Sequence, residues 1–158
     1  ALAFIGSADK KLAESQYNVY CKDKMINAVL LYYIEKAKEN KIRTEVSFSE
    51  PDGFAIDTVD FTVMLSNALD NAINACMKIE NPNERMLCIK TRNRNQYILE
   101  IANTFNDIVE FDNNGLPKTS DTGHGIGTRS IAAFAERNGA LLDYSVDGVW
   151  FRLRIAAV

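Results

Sequence analysis

The sequence predicts an α/β protein in which helices form a layer on one face of a mixed sheet. Two long segments carry apolar residues at helical spacing, and several short segments alternate apolar and polar residues as half-buried strands do. The segments follow one another as helix, strand, helix, strand, strand, loop, helix, strand, strand, an order that favours two packed layers. The order alone also permits other packings.

The first half of the chain contributes two helices and one strand. Residues 22–40 and about 58–78 have helical periodicity, and Asp57 is placed to cap the second helix. Residues 42–48 alternate as a strand does. Residues 1–20 are helical in composition but weaker in pattern, so a helical lead into the domain and a partly frayed terminus are both open.

The second half predicts two hairpins separated by a long loop and a helix. The strands are placed at 85–92, 97–102, 141–146 and 149–155, and the helix at 126–138. Gly139 is placed to cap the helix, and Asp147-Gly148 to turn the last hairpin. Residues 103–122 are polar and aperiodic, with a turn signal at 112–115, and a loop of this length can fold over a ligand.

Composition narrows the classes of function. The 158 residues suffice for one compact domain, and a net charge of -3 with a pI near 5.2 gives no basic face for nucleic acid. The cysteines are odd in number and lack Cys-x-x-Cys spacing, which favours structural thiols in a reduced, cytoplasmic compartment. The longest apolar run, residues 28–34, is too short to cross a bilayer, so no direct membrane contact is expected.

Three asparagines are the most informative feature of the second helix. Asn67, Asn71 and Asn74 are four and three residues apart, so they share one helix face. Asparagine is a poor helix former, and a row of three within an apolar run indicates a polar contact on that face. Amide oxygens are neutral ligands suited to Mg²⁺ beside a polyphosphate, although a polar seam between helices would give the same pattern.

A glycine-rich turn precedes the last helix. Gly123, Gly125 and Gly127 allow backbone amides to approach an anion where a helix begins. The Rossmann fingerprint does not fit, because its preceding strand and following acidic residue are missing, and the Walker pattern lacks its Gly-Lys-Ser/Thr. Taken alone, such a turn is also typical of a tight connection between elements.

Together, the asparagine helix, the strands and the loop ending in Gly-His-Gly-Ile-Gly resemble the GHKL ATP-binding fold, or Bergerat fold. Within it they resemble the catalytic domain of sensor histidine kinases. Residues 65–76 and 123–131 are similar to the subgroup that includes peptide-pheromone, quorum-sensing kinases. The resemblance extends from about Lys22 to Ile155, and it implies a two-layer α/β sandwich that binds ATP with Mg²⁺.

The resemblance implies a role for each asparagine of the row. Asn71 matches the family's magnesium-binding asparagine, and Asn67, one turn earlier, is a second contact to metal or phosphate. Asn74 lies on the nucleotide-binding face where many relatives have a basic residue. Lys78 or Arg129 are therefore candidates to supply that charge to the phosphates.

The remaining nucleotide contacts follow from the same resemblance. The family's second glycine box, whose backbone amides meet the phosphates, corresponds to Gly123, His124, Gly125, Ile126 and Gly127. Lys118, in the preceding loop, is a further candidate for a phosphate contact. Asn103 stands where most relatives have the aspartate that accepts the adenine amino hydrogen. An amide forgoes the charge-assisted bond, so weaker nucleotide binding is expected.

The resemblance implies that residues 21–158 are the ATP-binding catalytic domain of a two-component sensor histidine kinase and that residues 1–20 lead from an omitted dimerisation region. The only histidine, His124, lies in the glycine box, so the phosphoryl acceptor is expected on histidine-bearing dimerisation helices outside the chain. A response regulator is the other expected partner, and the expected location is the cytoplasmic side of a membrane-bound receptor. Two alternatives are a nucleotide-sensing or docking module without phosphotransfer and a protein serine kinase resembling the anti-sigma-factor kinases.

Overall fold

The structure, a computed structural model, describes residues 19–118 and 125–157. The predictions for residues 1–18, Gly123 and His124 therefore lie outside the described residues. Within them, the predicted fold class is confirmed, because helices pack against a five-stranded mixed sheet to form an α/β sandwich.

Three helices form one layer. They are α1 (Lys24–Glu39), α2 (Thr58–Met77) and α3 (Gly125–Arg137), and one turn of 3-10 helix covers Pro82–Glu84. The predicted cap of α2 is confirmed, since the carboxylate of Asp57 accepts a hydrogen bond of 2.8 Å from the amide of Asp60. Asp23 caps α1 in the same way, by accepting from the amide of Met25. Each helix lies within two residues of its predicted bounds.

Five strands form the second layer. They are β1 (Arg43–Ser47), β2 (Met86–Asn93), β3 (Tyr97–Thr104), β4 (Leu141–Asp147) and β5 (Trp150–Ala157). Their order across the sheet is β1-β2-β3-β5-β4, with β1 parallel to β2 and every other neighbouring pair antiparallel. The last hairpin turns at Gly148, whose φ of 59° suits glycine, as the sequence predicts.

β3 continues two residues beyond the strand end that the sequence predicts at Ala102. Asn103 pairs with Leu87 on one side and with Phe151 on the other, and Thr104 pairs with Trp150. Because a neighbouring strand continues alongside these residues, their backbone groups stay in the ladder despite the polar side chains. The longer strand places Asn103 inside the sheet.

The core lies between α2 and the sheet. Its fully buried side chains include Leu65, Leu69 and Ile73 of α2 and Leu87, Ile89 and Leu99 of the sheet. α2 also packs against α1 and α3, which accounts for most of its broad apolar surface, while Val59, Val63 and Met77 remain exposed. No helix in the described ranges is long and apolar enough to span a membrane.

α2 and α3 lie antiparallel, and polar pairs join them at two levels. Near the start of α2, the guanidinium Nε of Arg137 donates to a carboxylate oxygen of Asp60 over 3.1 Å. About two turns further along α2, the amide nitrogen of Asn67 donates to the hydroxyl of Ser130 over 2.9 Å. The antiparallel arrangement carries the N-terminal end of α3 to the middle of α2, beside Asn71.

Candidate functional site

A cavity of about 200 Å³ opens where α2, the start of α3 and the sheet meet. Its helical walls are Ala68, Asn71, Ala72 and Ala75 of α2, the C-cap residue Lys78, and Thr128 and Ile131 of α3. Its floor is Ile101, Asn103, Tyr144, Phe151 and Leu153, and its rim is residues 105–109, Pro117 and Lys118. Both the asparagine helix and the glycine-rich helix start therefore face one space.

The cavity exists because α2 turns its smallest side chains toward it. Ala68, Ala72 and Ala75 follow one another at helical spacing and flank Asn71 on the same wall. Elsewhere along α2, Leu65, Leu69 and other large side chains fill the core. Since interiors are close-packed, three alanines on one face leave a volume that the surrounding side chains do not fill.

Asn71 packs directly against the first turn of α3. A methyl group built at Gly127 would lie 3.1 Å from the carboxamide oxygen of Asn71 and 3.2 Å from its nitrogen. Gly127 is therefore needed for close approach of the helix to the amide, not for an unusual backbone angle. Gly125 begins α3, and Ile126 lies in its first turn. The structure thus brings Asn71 together with the described part of the glycine box.

The other two asparagines of the row do not line the cavity. The amide nitrogen of Asn67 is engaged with Ser130, which leaves its carboxamide oxygen as the group available to a ligand. The amide nitrogen of Asn74 lies 3.4 Å from a carboxylate oxygen of Asp70. Asn74 is accordingly directed to a neighbour on its own helix face, away from the residues that surround Asn71.

Asn103 forms part of the cavity floor. Its side chain is only 2 % exposed, and its amide nitrogen donates to the carbonyl of Thr104 over 3.0 Å. This bond fixes the orientation of the carboxamide, so its oxygen is the atom that can accept a hydrogen bond from a ligand. The neighbouring floor residues are aliphatic or aromatic, which suits a flat, uncharged ring beside the carboxamide.

The cations near the cavity are unequally placed. Lys118 lies on the rim and is exposed, while the exposed Arg129 is absent from the lining. Lys78 lines the cavity at the end of α2, and its ammonium group lies 3.6 Å from the carboxylate of Asp107. Asn106 donates to the carbonyl of Lys78 over 3.1 Å. The segment after β3 is thereby held against the end of α2.

Three aromatic residues on the cavity floor and rim are not anticipated by the sequence patterns. The ring centroids of Phe105 and Phe151 are 6.2 Å apart, and those of Tyr144 and Phe151 are 5.7 Å apart. Phe105, Tyr144 and Phe151 form what is called here the cavity cluster. Alternation places Tyr144 on one sheet face, but only the three-dimensional structure shows that Tyr144, paired with Leu153 of β5, lines the cavity.

The hydroxyl of Tyr144 is buried and has no hydrogen-bond partner among the atoms of the structure. Burial raises the pKa of this phenol well above its usual value. The group is consequently neutral over the physiological pH range and retains both a donor and an acceptor capacity.

A divalent cation in this cavity would depend on amides and on its ligand. Within residues 19–118 and 125–157, no group of three or more His, Cys, Asp and Glu side chains is placed to hold a metal. Asn71 offers a hard oxygen at the cavity wall, with the glycine start of α3 packed against it. Mg²⁺ commonly binds through few protein ligands together with substrate phosphates and water, so the residues present fit it.

Comparison with known proteins adds a family match. The family model described as GHKL domain matches residues 56–157, which include α2, α3 and the cavity. No curated protein sequence matches the chain.

Several solved structures share the fold at low sequence identity. Histidine kinase AdeS of Acinetobacter baumannii is 18% identical with a TM-score of 0.59, covering 84% of this chain and 62% of that chain. The mycobacterial sensor histidine kinase MprB is 14% identical with a TM-score of 0.63, covering 85% and 93%. Full-length ShkA in complex with AMPPNP is 14% identical with a TM-score of 0.62, covering 84% and 29%. This chain therefore spans less than two thirds of AdeS and less than a third of ShkA.

Proposed function

This chain belongs to the GHKL domain family, and on that premise we propose that it is the ATP-binding catalytic domain of a two-component sensor histidine kinase. It transfers the γ-phosphoryl group of ATP to a histidine outside the chain. The peptide-pheromone, quorum-sensing subgroup is part of this proposal, supported by the motif at 65–76 and by asparagine at 103. ShkA, which shares the fold, is described in complex with the ATP analogue AMPPNP.

One observation carries the proposal: Asn71 and the start of α3 form adjoining walls of one cavity. The unpaired amides and the dipole at a helix N-terminus attract phosphate. The apolar floor around Asn103 suits a purine base. Asn71 therefore lies at the phosphate end of the cavity and Asn103 at the base end.

Phosphoryl transfer needs positioning and charge neutralisation more than covalent help from side chains. Asn71 and Asn67 would hold magnesium, which neutralises phosphate charge when bound. Backbone amides of the glycine box contact the phosphates, with Lys118, His124 or Arg129 as additional contacts, and Asn103 reads the adenine edge. Asn74, paired with Asp70, contributes least on this arrangement.

The acceptor and the signalling partners lie outside the chain in this proposal. His124, the single histidine, belongs to the nucleotide site. Histidine-bearing dimerisation helices of a longer kinase supply the acceptor, and a response regulator receives the phosphoryl group next. The domain then works on the cytoplasmic side of a membrane-bound receptor.

Calorimetric titration with ATP and ADP, with and without Mg²⁺, tests the nucleotide half of this function. Wild type is expected to bind both, and Asn71→Ala to lose roughly tenfold or more of its magnesium-dependent affinity, since even residues that only support a metal ligand cost 10–100-fold when removed. Asn74→Ala is the matched control, because it removes the same type of side chain about one turn further along α2, at a residue that does not line the cavity. No binding by wild type at millimolar nucleotide would overturn the proposal.

Phosphotransfer separates the kinase from a nucleotide-sensing module and from a serine kinase. A histidine-bearing helical fragment added in trans is expected to acquire acid-labile phosphate from ATP. Acid-stable phosphate on a protein substrate would indicate a serine kinase instead. Nucleotide binding with no phosphate transfer to any such fragment would favour the sensing or docking module. Asn103 is consistent with that alternative, because its amide forms a weaker hydrogen bond to adenine than an aspartate would.

A further inference from the structure

The hydroxyl of Tyr144 is an uncompensated buried polar atom on a residue that lines the cavity. Its ring lies among Phe151 and Leu153, and the residue lines the cavity. The oxygen is shielded from solvent and has no hydrogen-bond partner within residues 19–118 and 125–157. A buried hydroxyl without a partner destabilises the folded state, whereas phenylalanine would fill the same space without that cost.

Another tyrosine of the core shows what a purely structural hydroxyl looks like. Tyr97 is 1 % exposed, and its hydroxyl donates to the carbonyl of Ser49 over 2.9 Å. Both tyrosines lie on sheet strands and pack against phenylalanines. They differ in surroundings, because Tyr97 is enclosed by packed side chains and Tyr144 adjoins the cavity. The unpartnered hydroxyl therefore belongs to a residue that lines the cavity, although the oxygen itself is closed off from that space in this structure.

We propose that Tyr144 is a specificity-determining residue whose hydroxyl hydrogen-bonds the nucleoside part of the bound nucleotide. The inference rests on the proposed function. The nucleoside is favoured over the polyphosphate because Tyr144 lies on the apolar floor with Leu153 and Phe151, whereas the amides that attract phosphate lie at the start of α3. Ligand entry turns the hydroxyl from its enclosed position toward a ring nitrogen or ribose oxygen.

Tyr144→Phe tests this inference because its two effects have opposite signs. Without ligand, the variant is expected to melt about 2–4 °C above wild type, as a buried unpaired hydroxyl has been removed. Its affinity for ADP is expected to fall roughly three- to tenfold, the range for one neutral hydrogen bond. Affinity for inorganic tripolyphosphate, which has no nucleoside, is expected to stay unchanged. Thermal melts and calorimetric titrations on the same preparations give all three quantities.

Tyr97→Phe is the matched control. It removes an equally buried but partnered hydroxyl, so the melting temperature is expected to fall while ADP affinity is retained. If wild type binds ADP and Tyr144→Phe binds it equally well, the inference about Tyr144 is wrong and the proposed function stands. If Tyr144→Phe weakens tripolyphosphate as much as ADP, the hydroxyl serves the phosphates and the inference is also wrong. If wild type binds no nucleotide, the proposed function itself fails.

Discussion

The two ends of the helix layer contain aromatic clusters of similar composition that differ in packing and in hydrogen bonding. Phe54, Phe61, Tyr97 and Phe134 form the closed cluster, with neighbouring ring centroids 6.0 to 6.1 Å apart. The cavity cluster of Phe105, Tyr144 and Phe151 has nearly the same spacing. The closed cluster is filled and its one hydroxyl is paired, whereas the cavity cluster borders open space and its hydroxyl is unpaired.

The polar contacts between α2 and α3 show the same contrast. Beside the closed cluster, Asp60 receives hydrogen bonds from Arg137 and Asn138, so charges and amides there are satisfied by protein. Beside the cavity, the carboxamide of Asn71 lies against Gly127 of α3. The polar groups at one end of the helix pair are thus satisfied within the protein, whereas the other end borders a cavity and an unpaired hydroxyl, as the proposed nucleotide site requires.

The largest expected effect follows from opening the closed cluster. Phe61→Ala removes a side chain that is 1 % exposed and contacts both Tyr97 and Phe134, so it is expected to lower the free energy of unfolding by about 3–5 kcal/mol. Phe105→Ala, at the partly exposed rim of the cavity, is the comparison variant, with a smaller expected loss. Urea unfolding measured by circular dichroism gives both values. Equal losses would contradict the distinction between the two ends.

A substitution at the cavity end is expected to change binding with little effect on stability. In Gly127→Ala the new methyl group lies 3.1 Å from the Asn71 oxygen, so the carboxamide must shift. On the proposed role of Asn71, magnesium-dependent ATP affinity is expected to fall roughly tenfold, the lower end of the loss seen when a residue supporting a metal ligand is removed. Stability is expected to hold or rise slightly, because alanine is the better helix former.

Gly139→Ala is the control for that experiment. Gly139 has a φ of 61° and no atom within 4 Å of an added methyl group. The variant is expected to lose about 1–2 kcal/mol of stability through backbone strain and to keep its ATP affinity. Unchanged magnesium-dependent binding in Gly127→Ala would show that Asn71 does not act through its present position.

The smallest expected effect is a pH dependence of stability that arises from the Asp60–Arg137 pair beside the closed cluster. The hydrogen bond from Arg137 holds the pKa of Asp60 below its usual value. A carboxyl with a depressed folded-state pKa stabilises the fold above its unfolded pKa of about 3.9, and this contribution is lost as pH falls through the folded value. Thermal melts from pH 6 to 3 are expected to show a slightly steeper loss for wild type than for Arg137→Met. If the melting temperatures of the two proteins fall in parallel with pH, the Asp60–Arg137 pair does not contribute to stability in acid.

Local signals in the sequence were sufficient to predict most elements. Asp57 at the start of α2 and Gly148 in the last hairpin act through their own backbone neighbours, so position in the chain reveals them. Strand order and the parallel pairing of β1 with β2 depend on contacts between distant segments, which periodicity does not encode. The length of β3 beyond Ala102 has the same origin, because adjacent strands hold Asn103 in the ladder.

The candidate site was predictable only in part for a geometric reason. A helix turns about 100° per residue, so residues three and four apart differ by about 40–60° around its axis. That difference lets Asn71 face the cavity while Asn74 lies toward Asp70 and Asn67 toward Ser130. Tyr144 could not be singled out, because the lack of a partner is a property of its surroundings and not of its sequence. The roles proposed for these residues in nucleotide binding stay predictions.

The alanines of α2 have a consequence for how strongly the folded state depends on a bound ligand. Ala68, Ala72 and Ala75 leave the middle of the domain underfilled, and a molecule that occupies this volume only in the folded state adds its binding free energy to folding. If nucleotide fills the cavity as proposed, the folded fraction would rise with nucleotide concentration, and resistance to proteases would rise with it.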